Sequence, residues 1–269
     1  MNVLASIKKY WAIGKINFAN QLAYRADILS EVGFSMFVFA ILFFLHRETI
    51  KITPTSPVEI LTLAQIMWII FFATLVGGER TKGVAHTLNE EILSGQIAYQ
   101  LNRPYSYMAF HLAQHVGTKI PALVLNGLIN SIFVYWLVGL PAVSAGSIAL
   151  GVLMLIIGMV INFFIQFCIG LGAFWIGNID PIRWIYLQIM VVAGGMSVPL
   201  ALFPAAMKKV ILLLPFSTVA YGAARIIVGC PRSDIYFYVG IQLFWLVMML
   251  LIAKAFFKAG VKHVVISGG

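Results

Sequence analysis

At 269 residues with 61% hydrophobic and only 10% charged side chains, and with a mean hydropathy of +0.97, this chain carries more apolar surface than a water-soluble core of its length hides. Lipid is therefore its solvent, and since a bilayer offers no water to backbone N–H and C=O groups, its spanning segments are helices or a closed barrel. The formal charge of +9 does not mark a nucleic-acid binder, because the 18 basic residues are scattered between apolar runs and form no continuous patch.

Continuous apolar runs of about 20 residues, enough to cross about 30 Å of hydrocarbon, select helices over barrel strands, which would alternate over about 10 residues. The expectation is an all-α polytopic membrane protein with six transmembrane helices, an N-terminal amphipathic helix and a re-entrant helical pair before the last span. Residues 1–25 form the interfacial unit and 26–269 the transmembrane domain. Leu4, Ile7, Trp11, Phe18 and Leu22 fall on one helical stripe flanked by Lys8 and Lys15. Lys15, Asn17 and Asn20 interrupt this segment, so it lacks the apolar centre of a cleavable signal peptide and is expected to be retained. Tyr24 and Arg25 mark the membrane boundary.

The first span is expected over 26–45, with Glu31 about one turn inside its start and His46-Arg47-Glu48 closing it. A loop with Pro54 and Pro57 leads to a second span over 58–78, stopped by Gly77-Gly78-Glu79-Arg80. Residues 79–119 are the longest polar stretch and include Asn89-Glu90-Glu91 and Asn102-Arg103-Pro104. The third and fourth spans, 120–140 and 145–176, meet at the tight Gly139-Leu140-Pro141 turn as an antiparallel hairpin. A fifth span follows Gly177-Asn178-Ile179-Asp180-Pro181 and runs to Phe203, interrupted by Gly194-Gly195 and Pro199. Residues 205–214 and 217–228 are apolar pieces too short to span, separated by Pro215, and read as a re-entrant hairpin over 204–229. The last span covers 235–253. With the N-terminus cytoplasmic, Lys8, Lys9, Lys15, Arg25, Arg80, Lys82, Arg103, Lys119, Arg183, Lys254, Lys258 and Lys262 lie inside, 12 of the 18 basic residues. The positive-inside rule favours that orientation, with both termini cytoplasmic.

A gradient-driven carrier keeps ionisable groups deep in its bundle. The nine acidic residues here all fall in loops or near span ends, so energy for directional transport is expected from another polypeptide. No GxxxxGK[ST] phosphate loop occurs, and no nucleotide site is assigned to the chain. His111 and His115 share a helical face but lack the glutamate of HExxH and any further ligand at a fixed spacing, so no metal site is assigned. No set of side chains forms a catalytic cluster. Asn126 with Asn130, and Asn162 with Gln166, are spaced i, i+4, and the third-to-fourth hairpin brings their faces together. The expectation is interhelical hydrogen bonding as packing glue, with Asn126 meeting Asn162. Cys168 and Cys230 lie too far apart in depth to form a disulfide.

These parts together resemble the ABC type-2 permeases. The run Glu90-Glu91-Ile92-Leu93-Ser94-Gly95-Gln96-Ile97-Ala98-Tyr99-Gln100-Leu101-Asn102-Arg103-Pro104 is similar to the cytoplasmic loop of bacterial exporter permeases in that class. Val198-Pro199-Leu200, Phe203-Pro204 and Leu214-Pro215-Phe216 fit the same pattern. The resemblance implies a dimer, with a second copy or a related permease, in a bacterial cytoplasmic membrane. It also implies two separate ATPase subunits that hold the ATP and Mg²⁺, and export of a hydrophobic or amphipathic drug, lipid or peptide. A coupling helix would span Thr87 to Ser94, with Leu88 inside that span, Glu90 and Glu91 as charged contacts, and Ile92 and Leu93 as apolar anchors. Gly194, Gly195 and Pro199 would be flex points. A stand-alone secondary transporter or channel is the competing class, and it would require a charged midplane site or inverted repeats, neither of which is visible.

Overall fold

The computed structural model describes residues 3–23, 25–52, 61–78 and 83–267, all helix, turn or loop, with no strand among them. Leu4, Ile7, Leu22, Arg25, the Pro54/Pro57 loop, and Glu79 with Arg80 fall outside the described side chains. Helix α1 (Val3–Ala23) is followed by α2 (Arg25–Ile52) and α3 (Leu63–Gly77). Thr62 caps α3 reciprocally with Gln65, so the N–H groups of Thr62 and Gln65 at the start of the helix find acceptors. Two short helices, α4 (Val84–Leu93) and α5 (Gln96–Leu101), occupy the polar loop. Between them Gly95 turns the chain at φ +75°, in the region that favours glycine.

Helix α6 (Tyr107–Val138) is capped by Ser106 and α7 (Ala145–Leu171) by Ser144, and a single turn, α8 (Ala173–Ile176), extends α7. At about 1.5 Å per residue α6 is about 48 Å long, so roughly its first third projects beyond a 30 Å core. Against that projection lies α1. Tyr10, Ile13, Gly14, Asn17 and Gln21 face inward while Trp11, Phe18 and Lys15 face out. A Cβ on Gly117 would lie 2.4 Å from the Gly14 carbonyl, so the two backbones touch. Trp11 and Phe18, the two stripe residues whose side chains are described, therefore lie on the face α1 turns away from the protein.

Four helices are long and apolar enough to cross a membrane, over Leu29–Ile50, Tyr107–Val138, Ala145–Ile176 and Arg232–Lys262, and α3 is a shorter apolar helix. The expected fifth span is shorter than its apolar run. Helix α9 (Asp180–Ala193) stops at Gly194, and an irregular segment with a 3-10 turn at Leu200–Leu202 follows. Gly195 at φ +74° and Pro199 break the ladder that apolarity alone would have continued.

The re-entrant hairpin consists of α10 (Ala205–Leu213), α11 (Pro215–Val219) and α12 (Tyr221–Val228), with an added break at Ala220 that the sequence does not announce. Its direction follows from contacts with α7. Gly158 faces the Val219 carbonyl, whereas Gly151 faces Ala223 and Ile227, so α12 runs antiparallel to α7 and returns to the end where α7 begins. Every residue of α12 is buried and none of α10 is. The inner tip is fixed by α13 (Arg232–Ser267): Gln242 Nε2 donates to the carbonyls of Met154 and Thr218, both at 2.8 Å, and Trp245 Nε1 to that of Leu213 at 2.9 Å. Trp245 lies about 20 Å along α13 from Arg232, so the hairpin tip reaches deep into the bilayer. Lipid-facing apolar side chains ring the bundle, among them Phe37 on α2, Leu128 on α6, Val152 on α7, Val210 on α10 and Val247 on α13.

Candidate functional site

Helix α4 is clamped to the membrane helices on one side and open on the other. Its inner face carries Ala85 and Leu88, both fully buried. They rest on α7 at Gly170, where a Cβ would lie 2.8 Å from the Leu88 Cβ and 3.0 Å from the Ala85 Cα. No larger residue at 170 leaves room for α4. Ile92 turns inward too, against Ala85, Ala173 and Ile179.

Glu91 completes this grip. The Tyr107 hydroxyl donates to its Oε2 at 2.7 Å and His111 Nε2 lies 3.3 Å from the same oxygen. Tyr107 stacks in turn on Phe257 of α13, with ring centroids 5.5 Å apart and planes within 9°. Burial alone would raise the Glu91 carboxyl pKa, but the hydrogen bond and charge of His111, with the Tyr107 hydroxyl, outweigh it and hold the group below the usual carboxylate range. His111 is thus committed to Glu91, and His115 is buried against Phe163.

This corrects the expected coupling contacts. Glu91 is an internal anchor, Leu88 is core and Ile92 is packed inward, so none of the three presents a docking group. Glu90, with its side chain 55% exposed beside His86, Leu93, 58% exposed, and Ser94 do face outward, while Thr87 is half-buried. The outer surface also extends past the expected helix onto α5, where Tyr99 is 66% exposed and the Arg103 guanidinium sits 4.6 Å over its ring. Tyr99 and Arg103 were within the motif, yet the anchor pair of Glu91 with Tyr107 spans 16 residues and no local periodicity connects them.

The loop's exit is braced by α1. Lys9 Nζ donates to the Pro104 carbonyl at 3.2 Å, and the Ser106 N–H donates to the Tyr10 hydroxyl at 3.0 Å. The outward face of α4 and α5 thus sits on a block made of α1, α6, α7 and the end of α13.

Within the bundle, the expected Asn126–Asn162 bond does not form. Asn162 accepts from the Tyr186 hydroxyl of α9, and Asn130 Nδ2 donates to Ser35 Oγ of α2 at 2.9 Å. Helices α6 and α7 share a turn but diverge, each preferring other neighbours, so spacing from that turn misassigned the partners. Gln166 is buried, with no partner for its Nε2 among the described residues. Asn126 instead lines a cleft between α2, α3 and α6 that opens to the surroundings, with Glu31, Ser35, Lys119 and Asn130 on its walls. At one end of α3 the Lys119 ammonium donates to the Gly78 carbonyl at 2.7 Å, and at the other Trp68 Nε1 donates to Gly139 at 2.8 Å, so α3 runs antiparallel to α6. Gly194, Gly195 and Pro199 are buried, and a Cβ on Gly195 would lie 2.8 Å from the Tyr221 ring; this turn is packed tightly against the hairpin.

No curated protein gives a significant match to the chain. The family model described as "ABC-2 family transporter protein" matches residues 29–268, from α2 through α13. A polytopic helical bundle carrying a clamped, outward-facing helical loop accords with that match, and the chain belongs to the ABC-2 transporter family as a membrane permease component of an ABC transporter.

Proposed function

We propose that this chain is the permease subunit of an ATP-driven exporter, and that a separate ABC ATPase docks on the outward face of α4 and α5. The family implies an ABC ATPase partner. The observation that carries the docking reading is the two-sidedness of α4: Glu90, Leu93 and Ser94 are exposed, while Ala85, Leu88 and Glu91 lock the helix to α6 and α7. A loop with no partner has no use for such a rigid mount, because solvated loops minimise their ordering cost. Leu93 and Tyr99 offer an apolar centre, and Glu90 and Arg103 a charged rim, the composition of a protein interface.

In this reading the α4–α5 end faces the cytoplasm, which puts 12 of the 18 basic residues on that side. Two ATPase copies bind and hydrolyse ATP with Mg²⁺, a second permease copy or relative completes the path, and the cargo is a hydrophobic or amphipathic molecule moved outward.

The test is co-purification with candidate ABC ATPase subunits expressed together with this chain. Glu90→Lys combined with Leu93→Asp lowers ATPase recovery by about tenfold or more, as loss of a central interface contact does, while membrane insertion is unchanged. Undiminished recovery refutes docking at this face, and transport by the chain alone without ATP refutes the exporter reading.

A further inference from the structure

Glu31 and Lys119, an acidic and a basic side chain, line one cleft, and no ion pair joins them among the described residues. One of the three ammonium N–H groups of Lys119 is taken by the Gly78 carbonyl. Deeper in the same cleft Asn130, 3% exposed, commits Nδ2 to Ser35, but its Oδ1 has no partner among the described residues. That oxygen is itself closed off from the cleft opening, so recognition of a guest falls to the Glu31 carboxylate and the Lys119 ammonium on the cleft walls.

Its depth says where the guest comes from. Lys119 precedes Gly139 by about 30 Å along α6, so when Gly139 sits at one edge of the hydrocarbon, Lys119 marks the other. Glu31 stands at the matching end of the apolar stretch of α2, which begins at Leu29. Outside the cleft the same helices turn Phe34 and Val124 to lipid. A headgroup of the leaflet on the α4–α5 side therefore lies at the level of the two charges, with its chains against an apolar wall.

We propose that this cleft is a headgroup site for a zwitterionic aminophospholipid. The lipid phosphate accepts from the remaining N–H groups of Lys119, and its primary ammonium donates to the Glu31 carboxylate. A choline headgroup has both charges but no N–H to give, and a glycerol headgroup lacks the cation. Chemistry thus orders the three common headgroups, with ethanolamine first. The site is independent of the transport reading, since it needs neither ATPase nor cargo.

The test uses the full chain, stripped of lipid and returned to nanodiscs holding equal phosphatidylethanolamine, phosphatidylcholine and phosphatidylglycerol, with retained lipid read by native mass spectrometry. The expected result is retention of phosphatidylethanolamine about tenfold above the other two, the worth of a charge-assisted hydrogen bond. Glu31→Gln, which keeps size and removes charge, abolishes the preference, and Asn126→Leu, which fills the cleft without touching the Ser35 bond, does so as well. Soluble phosphoethanolamine in excess leaves the retained lipid in place. Retention in the proportions of the nanodisc, or an unchanged preference in both variants, overturns the site; displacement by the soluble headgroup overturns a lipid source.

Discussion

Gly158→Ala is the sharpest test of the re-entrant architecture. A Cβ at this position would lie 1.8 Å from the Val219 carbonyl oxygen and 3.3 Å from Gln242 Nε2. Real contacts of that kind stay beyond 3.0 Å, so the hairpin backbone must retreat by at least 1.2 Å, the difference between the two distances. The neighbour is backbone in a fully buried stretch and cannot swing aside. Overpacking of this kind costs about 1–3 kcal/mol, and the retreat also strains the Gln242 bonds to Met154 and Thr218, each worth about 1 kcal/mol. The total is about 2–5 kcal/mol. Thermal unfolding of purified protein in detergent reads it as a drop of roughly 5–15 °C for a chain of this size. Gly240→Ala on α13, where an added Cβ meets nothing within 4 Å, is the control and leaves the midpoint within about 2 °C, as surface changes do. Equal midpoints for the two variants would refute the seating of the hairpin on α7.

The two adjacent glutamates separate cleanly. Glu91→Gln loses a charge-assisted partner of Tyr107 and His111 and destabilises the α4 mount by about 1.5–3 kcal/mol, seen as faster hydrogen exchange through Val84–Leu93, whereas Glu90→Gln leaves exchange there unchanged. Because the Glu91 pKa is lowered by folding, its stabilisation is complete above the ordinary carboxylate range and is lost as pH falls through the lowered value. Protection across α4, the exchange rate relative to that of the unstructured amides at the same pH, therefore falls in acid, and protection that is unchanged down to about pH 3, below ordinary carboxylate values, contradicts the anchor. Gly117→Ala pushes α1 off α6 at the 2.4 Å approach to Gly14, so a cysteine pair placed at Lys9 and Pro104 loses most of its cross-linking yield. Unchanged yield would mean that α1 is held by its ends alone.

Apolar run length located α2, α6, α7 and α13 because in lipid the hydrophobic signal and the length requirement coincide. The same signal overran α9, where apolar residues continue to Phe203 although the helix ends at Ala193. Lipid and buried hairpin both reward hydrophobicity, and only Gly194-Gly195 and Pro199 recorded the change of conformation. At the polar loop of α4 and α5, the motif from Glu90 to Pro104 was legible, but the inward turn of Glu91 was not. Adjacent acidic residues look alike in one dimension, and the hydroxyl that selects one of them belongs to Tyr107 on another helix. Asn126, Asn130 and Asn162 were recognisable as intramembrane polar residues, yet their partners depend on how α6 and α7 splay after their shared turn, which no spacing within either helix encodes.

Helix α7 is the element where these features meet. At Gly170 it carries α4, at Asn162 it bonds Tyr186 of α9, and at Gly158 and Gly151 it seats the returning half of the hairpin. Three of these four contacts are made through missing side chains, so backbone rests on backbone or on the base of a side chain, and little rotamer freedom remains to absorb a displacement. From Gly170 to Gly151 the helix is unbroken over about 28 Å. A displacement of α4 is therefore passed along one rigid helix toward the hairpin, and the turn at Gly194 and Gly195, packed against Tyr221, leaves the hairpin little slack to absorb it.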